Sequence, residues 1–206
     1  MAEACKVFET PVTGGNVSFY NETDGRAIYP TPVIGMVGVV EDVDHITTHA
    51  FHKAGDAIVL LGVNTSELGG SEYLYHFHGL VAGAPPSVDL LGERSLQQAT
   101  LEMIRKGLVA SAHDCAEGGL ALALTESAVA QEAPLGYDVI LEDALPPVPL
   151  LFGEAQGRIV LSCDPAHVEA ILETADRHGV PAARIGTVTP ADAGLRIQAA
   201  GHTVQV

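Results

Sequence analysis

The sequence is poor in cysteine and in basic residues, and both shortages limit the classes of protein to which it can belong. It has 206 residues, with three cysteines and no tryptophan. The thiols of Cys5, Cys115 and Cys163 are scattered and form no C-x-x-C pair, so we expect reduced thiols in a cytoplasmic protein. Ten basic residues against 26 acidic ones give a formal charge of −16. This charge makes nucleic acid and anionic membranes unsuitable partners.

Long hydrophobic runs are also missing. The apolar stretches at residues 33–40 and 120–124 are too short to cross a bilayer, and the first residues do not read as a signal peptide because Glu3 is followed by no apolar run. Hydrophobic residues nevertheless make up 47% of the chain and charged residues 17%, a composition that folds. At this length we expect one sizeable domain, alone or with part of another.

The most informative stretch is residues 11–22, P-V-T-G-G-N-V-S-F-Y-N-E. Gly14 and Gly15 remove side chains where a backbone approaches a ligand closely, and they permit positive φ, so consecutive N–H groups can form an anion-binding concavity. Asn16 adds a carboxamide oxygen, a hard ligand suited to Mg²⁺. Ser18 projects to the same side as Asn16 if the segment is extended.

This alternation predicts a strand with Val17 and Phe19 pointing into the core, opposite Asn16 and Ser18. A second strand is predicted at residues 33–40. No Walker loop or dinucleotide fingerprint is present. The local pattern alone therefore favours a glycine turn that leads into an edge strand over a ligand site.

Histidines in two places suggest a metal hypothesis. His45, His49 and His52 have i, i+4 and i+7 spacing and would share one face of a helix, but the two threonines between them weaken that helix and no carboxylate or cysteine completes a diagnostic set. A solvated linker is the favoured interpretation. His76 and His78 would not share a helix face, and we expect them at the surface.

The segment S-A-H-D-C-A-E-G-G precedes a predicted helix at residues 120–129. Asp114 and Glu117 have the spacing of a capping box. A metal or acid–base cluster of His113, Asp114 and Glu117 is the alternative, although capping explains the two acids more simply. The glycines that follow are costly in a helix, which indicates a close approach of a strand or a ligand.

Strands and helices alternate after about Asp56, which indicates an α/β domain with a mixed sheet. The apolar run at residues 57–63 predicts a strand that is covered on both faces. Gly69 and Gly70, followed by Ser71, predict the start of a helix that Ser71 caps. The predicted strands are 57–63, 109–112, 137–141, 158–163, 183–188 and 195–206. The predicted helices are 3–9, 90–107, 120–129 and 165–179, with a proline loop near 146–149.

Four motifs in order extend over nearly the whole chain. They are G-N-V-S-F-Y-N-E at 15–22, A-I-Y-P-T-P-V-I-G-M-V-G-V-V-E-D-V at 27–43, S-A-H-D-C-A-E-G-G-L-A-L-A-L-T-E-S at 111–127 and F-G-E-A-Q-G-R-I-V at 152–160. Together they resemble the phosphoribosylformylglycinamidine synthase family, within the AIR synthase-related ATP-binding superfamily. The resemblance is to the second half of the synthetase subunit.

The resemblance implies an α/β (α+β) fold in two parts. Residues 52–206 are expected to form an AIR-synthase-like C-terminal domain with a mixed sheet and flanking helices. Residues 1–51 are expected to be the tail of an AIR-synthase-like, ATP-binding N-terminal domain. Because that domain begins well before Met1 in the family, we expect the chain to be a fragment.

The resemblance also implies a chemistry. The family uses ATP to activate the amide oxygen of formylglycinamide ribonucleotide, and ammonia from a glutaminase then displaces phosphate. At the matching positions, Gly15 is expected to contact ATP, Asn16 to ligate Mg²⁺ and Ser18 to bind the substrate. The family's catalytic histidine, lysine and acidic metal ligands lie in the first half. We therefore expect no catalytic residue here and no activity from this chain alone.

The implied partners are the remaining N-terminal half of the synthetase, the glutaminase subunit and a small accessory subunit. Glu154 and Gln156 match a substrate-contacting position of the first half, and so mark a pseudo-symmetric site. A non-catalytic scaffold that docks the other subunits is the alternative function. Aminoimidazole ribonucleotide or selenophosphate synthetase is a second alternative with the same architecture.

Overall fold

A computed structural model describes residues 1–18, 20–199 and 201–205. The chain divides into two compact units, Met1–Asp44 (unit 1) and His45–Val206 (unit 2). The predicted division into residues 1–51 and 52–206 concerns the family domain to which each segment belongs and not its compactness. It stays a prediction.

Unit 1 has little regular structure among its described residues. It contains α1 (Ala2–Val7) and a two-stranded hairpin of β1 (Glu22–Thr23) and β2 (Arg26–Ala27). Asp24 and Gly25 form the turn with φ of 50° and 73°, the pair of positive values that a tight hairpin turn requires. The helix predicted at residues 3–9 is confirmed, although it is short and buries no residue.

The two long strands predicted in unit 1 are wrong. The described residues of 16–19 and all of 33–40 have no regular secondary structure. Val17 does not point into a core but is 73% exposed, and Val37 is 96% exposed; Phe19 lies outside the described residues. Strands are stabilised by a neighbouring strand and a covered face, and the described part of unit 1 supplies neither to these segments.

Unit 2 is built on a seven-stranded sheet with the order β4-β6-β3-β7-β5-β8-β9. The strands are β3 (Ala57–Leu61), β4 (Ser111–Asp114), β5 (Leu135–Leu141), β6 (Ile159–Cys163), β7 (Ala182–Pro190), β8 (Leu195–Ala199) and β9 (His202–Gln205). Neighbouring strands are antiparallel except β5 and β8, which are parallel. The prediction of a mixed sheet is therefore confirmed.

The described residues of unit 2 also form five α-helices. They are α2 (Glu72–His78), α3 (Leu90–Arg105), α4 (Gly119–Val129), α5 (Pro147–Phe152) and α6 (Val168–Arg177). The proline loop predicted near residues 146–149 is wrong, because prolines are tolerated in the first turn of a helix and here they begin α5. Within the described part of the chain, none of the helices is long and apolar enough to span a membrane.

The central strand β3 explains how the sheet is buried. Ile58 and Leu60 pack in one apolar cluster with residues of α4 and α5, whereas Ala57, Val59 and Leu61 pack in a second cluster with residues of α3 and α6. Every residue of β3 is buried. The continuous apolar run in the sequence is therefore a strand with helices on both of its faces.

Candidate functional site

The residues predicted to bind ATP, Mg²⁺ and substrate lie together in an exposed segment of unit 1. Gly15, Asn16 and Ser18 are all exposed. The backbone φ of Gly15 is 149°, a value that residues with a side chain rarely adopt. A Cβ added at Gly14 or Gly15 would meet no atom within 4 Å. The glycine pair is therefore not required for packing within unit 1.

Local hydrogen bonds shape the end of this segment. The Ser18 hydroxyl donates to the Tyr20 carbonyl at 3.0 Å, and the Asn21 side-chain amide donates to the Ser18 carbonyl at 3.0 Å. Residues 16–18 are not part of a strand, which differs from the strand predicted there. Ser18 and Asn16 are neighbours in the same exposed segment, but they do not project from one strand face.

Near Asn16 the described residues offer no complete protein cage for a metal ion. Among the described residues, no group of three or more His, Cys, Asp or Glu side chains is placed to hold a metal. Mg²⁺ commonly keeps several waters and phosphate oxygens and takes one or two protein oxygens. The carboxamide of Asn16 fits such a role, as one ligand in a shell completed by a nucleotide.

The hydrogen bonding at the start of α4 contradicts the predicted capping box. Asp114 is the last residue of β4, and the N-cap of α4 is Gly118, which makes no side-chain cap. The Gly118 N–H donates instead to Glu154 Oε1 at 2.9 Å, across 36 residues of sequence. A distant carboxylate therefore performs the role that the sequence pattern assigned to Asp114 and Glu117.

Glu154 joins the starts of two helices. Its Oε1 atom accepts the Gly118 N–H and also the Glu72 N–H of α2, at 2.8 Å. Ser71 is the N-cap of α2, as predicted, and its Oγ accepts from the Leu74 N–H. A carboxylate is favourable at a helix start because it satisfies otherwise unpaired N–H groups and opposes the positive end of the helix dipole.

Gly119 allows the start of α4 to approach the end of α5 closely. A Cβ on Gly119 would lie 2.5 Å from the Gly153 carbonyl oxygen, closer than any side chain tolerates. Gly153 directly precedes Glu154 in the sequence, so this contact brings Glu154 to the start of α4. The glycine pair therefore does mark a close approach, but the neighbour is the end of α5 and not the strand or ligand that was predicted.

Glu154 and Gln156, which the resemblance assigns to one pseudo-symmetric site, have different surroundings. Gln156 lines a neighbouring cleft of about 380 Å³. The carboxylate of Glu67 on the same cleft accepts both the N–H and the hydroxyl of Ser87 at 2.9 Å. The Ser87 N–H, and then its hydroxyl, lower the pKa of Glu67. This acidic group is therefore already satisfied within the chain.

A buried arginine holds the loops around this region. Arg158 is buried, and it donates to Asn64 Oδ1 at 3.1 Å and to the Gly153 carbonyl at 2.5 Å. Asn64 in turn donates to Asp143 at 3.2 Å. Arg158 belongs to the F-G-E-A-Q-G-R motif, and nothing in the sequence alone separates its structural role from a role in binding.

Comparison with known proteins adds what the geometry does not show. Residues 53–197 match the family model for the C-terminal domain of AIR synthase related proteins. The chain belongs to this family. The match lies entirely within unit 2 of this AIR synthase related protein.

Curated relatives support a narrower resemblance. The chain is 52% identical over 186 residues to phosphoribosylformylglycinamidine synthase subunit PurL of Moorella thermoacetica, covering 90% of this chain and 25% of the relative. It is 47% identical over 206 residues to PurL of Chlorobaculum tepidum, covering 96% of this chain and 27% of the relative. The chain therefore spans about a quarter of the length of these relatives. The predicted resemblance to this synthase is confirmed.

Solved structures share the fold. Thermotoga maritima PurL complexed with ATP aligns with a TM-score of 0.62 at 24% identity, over 79% of this chain and 26% of that one. The same protein complexed with FGAR aligns with a TM-score of 0.65 at 23% identity. The hydrogenase maturation protein HypE in complex with ATP aligns at 0.52 and 20% identity, over 53% of its length. The expected AIR-synthase-like fold is confirmed.

Proposed function

We propose that this chain forms part of an ATP-dependent phosphoribosylformylglycinamidine synthase of de novo purine biosynthesis in the cytoplasm. The reaction converts formylglycinamide ribonucleotide and glutamine-derived ammonia to formylglycinamidine ribonucleotide. The observation that carries this proposal is the 52% identity to PurL over 90% of the chain. Because the chain matches only a quarter of that relative, the proposed enzyme needs the rest of the synthetase, and this chain alone is inactive.

Three residues of unit 1 have proposed roles in that reaction. Gly15 contacts ATP through its backbone, Asn16 ligates Mg²⁺ through its carboxamide oxygen, and Ser18 hydrogen-bonds the substrate. When bound, Mg²⁺ supplies positive charge against the transferred phosphoryl group. The exposure of all three residues supports these roles. Ser18 would exchange its present bond to the Tyr20 carbonyl for one to the substrate.

The exposed apolar residues of unit 1 support a proposal about partners. Val33 is 95% exposed, and the other large apolar residues of 28–43 are also exposed: Ile28, Tyr29, Ile34, Met36, Val37, Val39, Val40 and Val43. A contiguous exposed run of this kind is typical of an interaction surface. We assign residues 1–51 to a nucleotide-binding domain that is completed by the remaining half of the synthetase. Residues 52–206 form the C-terminal domain.

A non-catalytic scaffold is the second candidate function. In this alternative, the chain docks the glutaminase subunit and the small accessory subunit and contributes no ligand to a reacting group. The observation that favours it is the Glu154 junction, where a carboxylate of the chain itself occupies two N–H groups at helix starts. Those groups are then not available to a phosphate.

A reconstitution experiment distinguishes the two functions. The chain is mixed with a PurL of Moorella thermoacetica from which the matching segment has been removed, and ATP- and ammonia-dependent turnover is measured with and without Mg²⁺. We expect turnover only from the mixture. Asn16→Ala should abolish its Mg²⁺-dependent part, whereas Thr13→Ala, at a neighbouring exposed residue, should not.

Two results would contradict the proposal. Turnover by the chain alone would show that the missing half is not required. Equal turnover of the mixtures that contain wild type and Asn16→Ala would support the scaffold, because association would then matter and the Asn16 ligand would not.

A further inference from the structure

Helix α2 belongs to a compact loop of unit 2, residues 70–82, which we call the α2 loop. The two ends of this loop meet, because the Gly70 N–H donates to the Ala82 carbonyl at 2.9 Å. Compact surface loops whose ends lie close together are frequently functional. The α2 loop is therefore an element of its own and not a simple connection between β3 and α3.

Glycines and one carboxylate fix the base of the α2 loop. A Cβ on Gly69 would lie 2.0 Å from the Ala84 carbonyl oxygen, and a Cβ on Gly83 would lie 2.7 Å from the Gly69 Cα atom. Next to this crossing, Glu67 accepts both the N–H and the hydroxyl of Ser87 at 2.9 Å. Because only glycine permits segments to cross so closely, the base of the loop has one defined arrangement.

Two further contacts hold the α2 loop against the rest of unit 2. The Glu72 N–H donates to Glu154 Oε1 at 2.8 Å. The Tyr73 ring stacks on the Phe152 ring with 5.2 Å between centroids, and the Phe77 ring contacts the Tyr73 ring at 5.0 Å. Phe152 itself packs against the apolar cluster that contains α4 and α5. A series of aromatic contacts therefore leads from this cluster out to Phe77.

The α2 loop is held in place without burying its own apolar side chains. None of the residues of α2, all of which are described, is buried. Phe77 is 72% exposed and Val81 is 86% exposed, and Tyr75 and Leu80 are exposed as well. Fixing a loop costs conformational entropy, which the burial of apolar area normally offsets. The described part of unit 2 supplies little of that burial to the α2 loop.

The exposed surface of the α2 loop carries almost no charge. The loop contains one acidic residue, Glu72, and no lysine or arginine, although the whole chain has a formal charge of −16. The Glu72 carboxylate lies 2.9 Å from His76 Nε2. Aromatic residues with few charges are typical of the core of a protein interface, and permanent interfaces are more apolar than transient ones. This surface therefore fits a permanent partner with an apolar face.

We propose that the α2 loop is a docking surface for the remaining part of the proposed synthetase, with Phe77 as its central anchor. The inference rests on the proposed function. Since the chain spans about a quarter of PurL of Moorella thermoacetica, most of the proposed enzyme lies outside it and is a permanent partner. Apolar side chains of that partner cover Phe77 and Val81. Aromatic anchors of this kind carry much of the binding energy of an interface.

Cysteine labelling tests the proposal in a complete synthetase. The matching segment of Moorella thermoacetica PurL is replaced by this chain, and Val81→Cys is introduced together with Cys5→Ser. We expect the thiol introduced at position 81 to react with a maleimide about tenfold more slowly in the chimaera than in the chain alone, with labelled sites identified by mass spectrometry. Glu173→Cys, at an exposed residue of α6, is the control and should react equally fast in both.

Variants of the anchor separate docking from folding. In the chimaera, Phe77→Ala should raise the labelling rate at position 81 towards that of the chain alone, whereas Phe77→Tyr, which keeps the ring, should not. In the chain alone, Phe77→Ala should leave the unfolding midpoint unchanged because this side chain is largely exposed. A large loss of stability there would make Phe77 a folding residue and would overturn its role as an anchor.

Turnover of the chimaera with ATP and ammonia distinguishes the two proposals. No turnover would overturn the proposed function, and the docking surface with it. Turnover together with equally fast labelling at position 81 in both proteins would overturn the docking surface only. Slow labelling already in the chain alone would mean that a second copy covers the α2 loop, and protection that requires added glutaminase would assign the surface to that subunit. Either result also overturns the docking proposal.

Discussion

The two units contain similar apolar runs that have different structures. In unit 2 the run of β3, A-I-V-L-L, is a buried strand with a neighbour on each side. In unit 1 residues 33–40, V-I-G-M-V-G-V-V, have no regular structure, and the side chains of Val33 and Val37 are exposed. Apolar, β-branched sequence thus sets a preference for strand, but neighbouring strands and helices decide whether a strand forms.

Core truncation should give the largest difference between the units. Leu124 of α4 is fully buried, so Leu124→Ala should lower the free energy of unfolding by about 2–5 kcal/mol through lost burial and the cavity left behind. Val37→Ala in unit 1 should change it by less than about 0.5 kcal/mol. Urea unfolding followed by far-UV circular dichroism measures both. A loss at Val37 as large as at Leu124 would mean that unit 1 has its own core.

Glycine replacement should give the next largest difference. Gly62 has a φ of 93°, and a Cβ there would lie 1.8 Å from the Gly157 carbonyl oxygen. Gly62→Ala should therefore cost about 1–3 kcal/mol or more, as the two loops are forced apart. Gly14→Ala in unit 1 meets no atom within 4 Å and serves as the control. Equal unfolding midpoints for the two variants would contradict this packing.

Acid should lower the stability of unit 2, because the carboxylate of Glu102 joins α3 to the end of α6. Glu102 accepts from Arg177 and His178 at 2.7 Å and from Lys106 at 2.6 Å. These hydrogen bonds lower the pKa of Glu102, and the bond from Arg177 has the largest effect. A lowered folded-state pKa means that this stabilisation is present above the ordinary glutamate pKa, about 4.3, and is lost as pH falls below it.

Glu102→Gln should consequently be less stable than wild type near neutral pH, with the difference shrinking below about pH 4. Thermal unfolding across this range measures the effect. Glu173→Gln, at an exposed residue of α6, is the matched control and should follow wild type. If the stability of the Glu102 and Glu173 variants depended on pH in the same way, the carboxylate of Glu102 would not stabilise the α3–α6 contact.

Thiol reactivity should distinguish the units without a change in stability. Cys115 and Cys163 of unit 2 are buried, and burial raises the pKa of each thiol to about 11. Since the thiolate is the reactive form, the native protein should react with a thiol reagent at Cys5 of unit 1 alone. Cys5→Ser should remove this rapid reaction. Rapid labelling of a second cysteine would show that unit 2 opens readily.

Local signals in the sequence were sufficient for most of unit 2. The apolar run of β3 and the Ser71 cap each act through neighbouring residues, so pattern and turn chemistry predict them. The helix α4 was predicted to within one residue of its start, but its capping was not predictable in this way, because the partner of Gly118 is Glu154, which is 36 residues away. Helix α5 was missed because its prolines are also typical of loops.

The candidate site could be predicted only in part. Motif resemblance located Gly15, Asn16 and Ser18, and the structure places them in one exposed segment. Their predicted arrangement on a strand face was wrong, because a strand there depends on neighbours that the described part of unit 1 does not contain. The contact between His49 and His113 was not foreseen either, since spacing along the chain does not reveal that residues 46–52 lie along the edge of β4.

We expect unit 2 to fold by itself and the proposed remainder of the synthetase to cover the exposed apolar residues of unit 1. Hydrogen exchange at residues 28–40 tests it most directly, in the chain alone and in the mixture with the truncated Moorella PurL. We predict rapid exchange in the chain alone and strong protection in the mixture, while β3 is protected in both. Equal exchange of residues 28–40 in the two samples would contradict the claim.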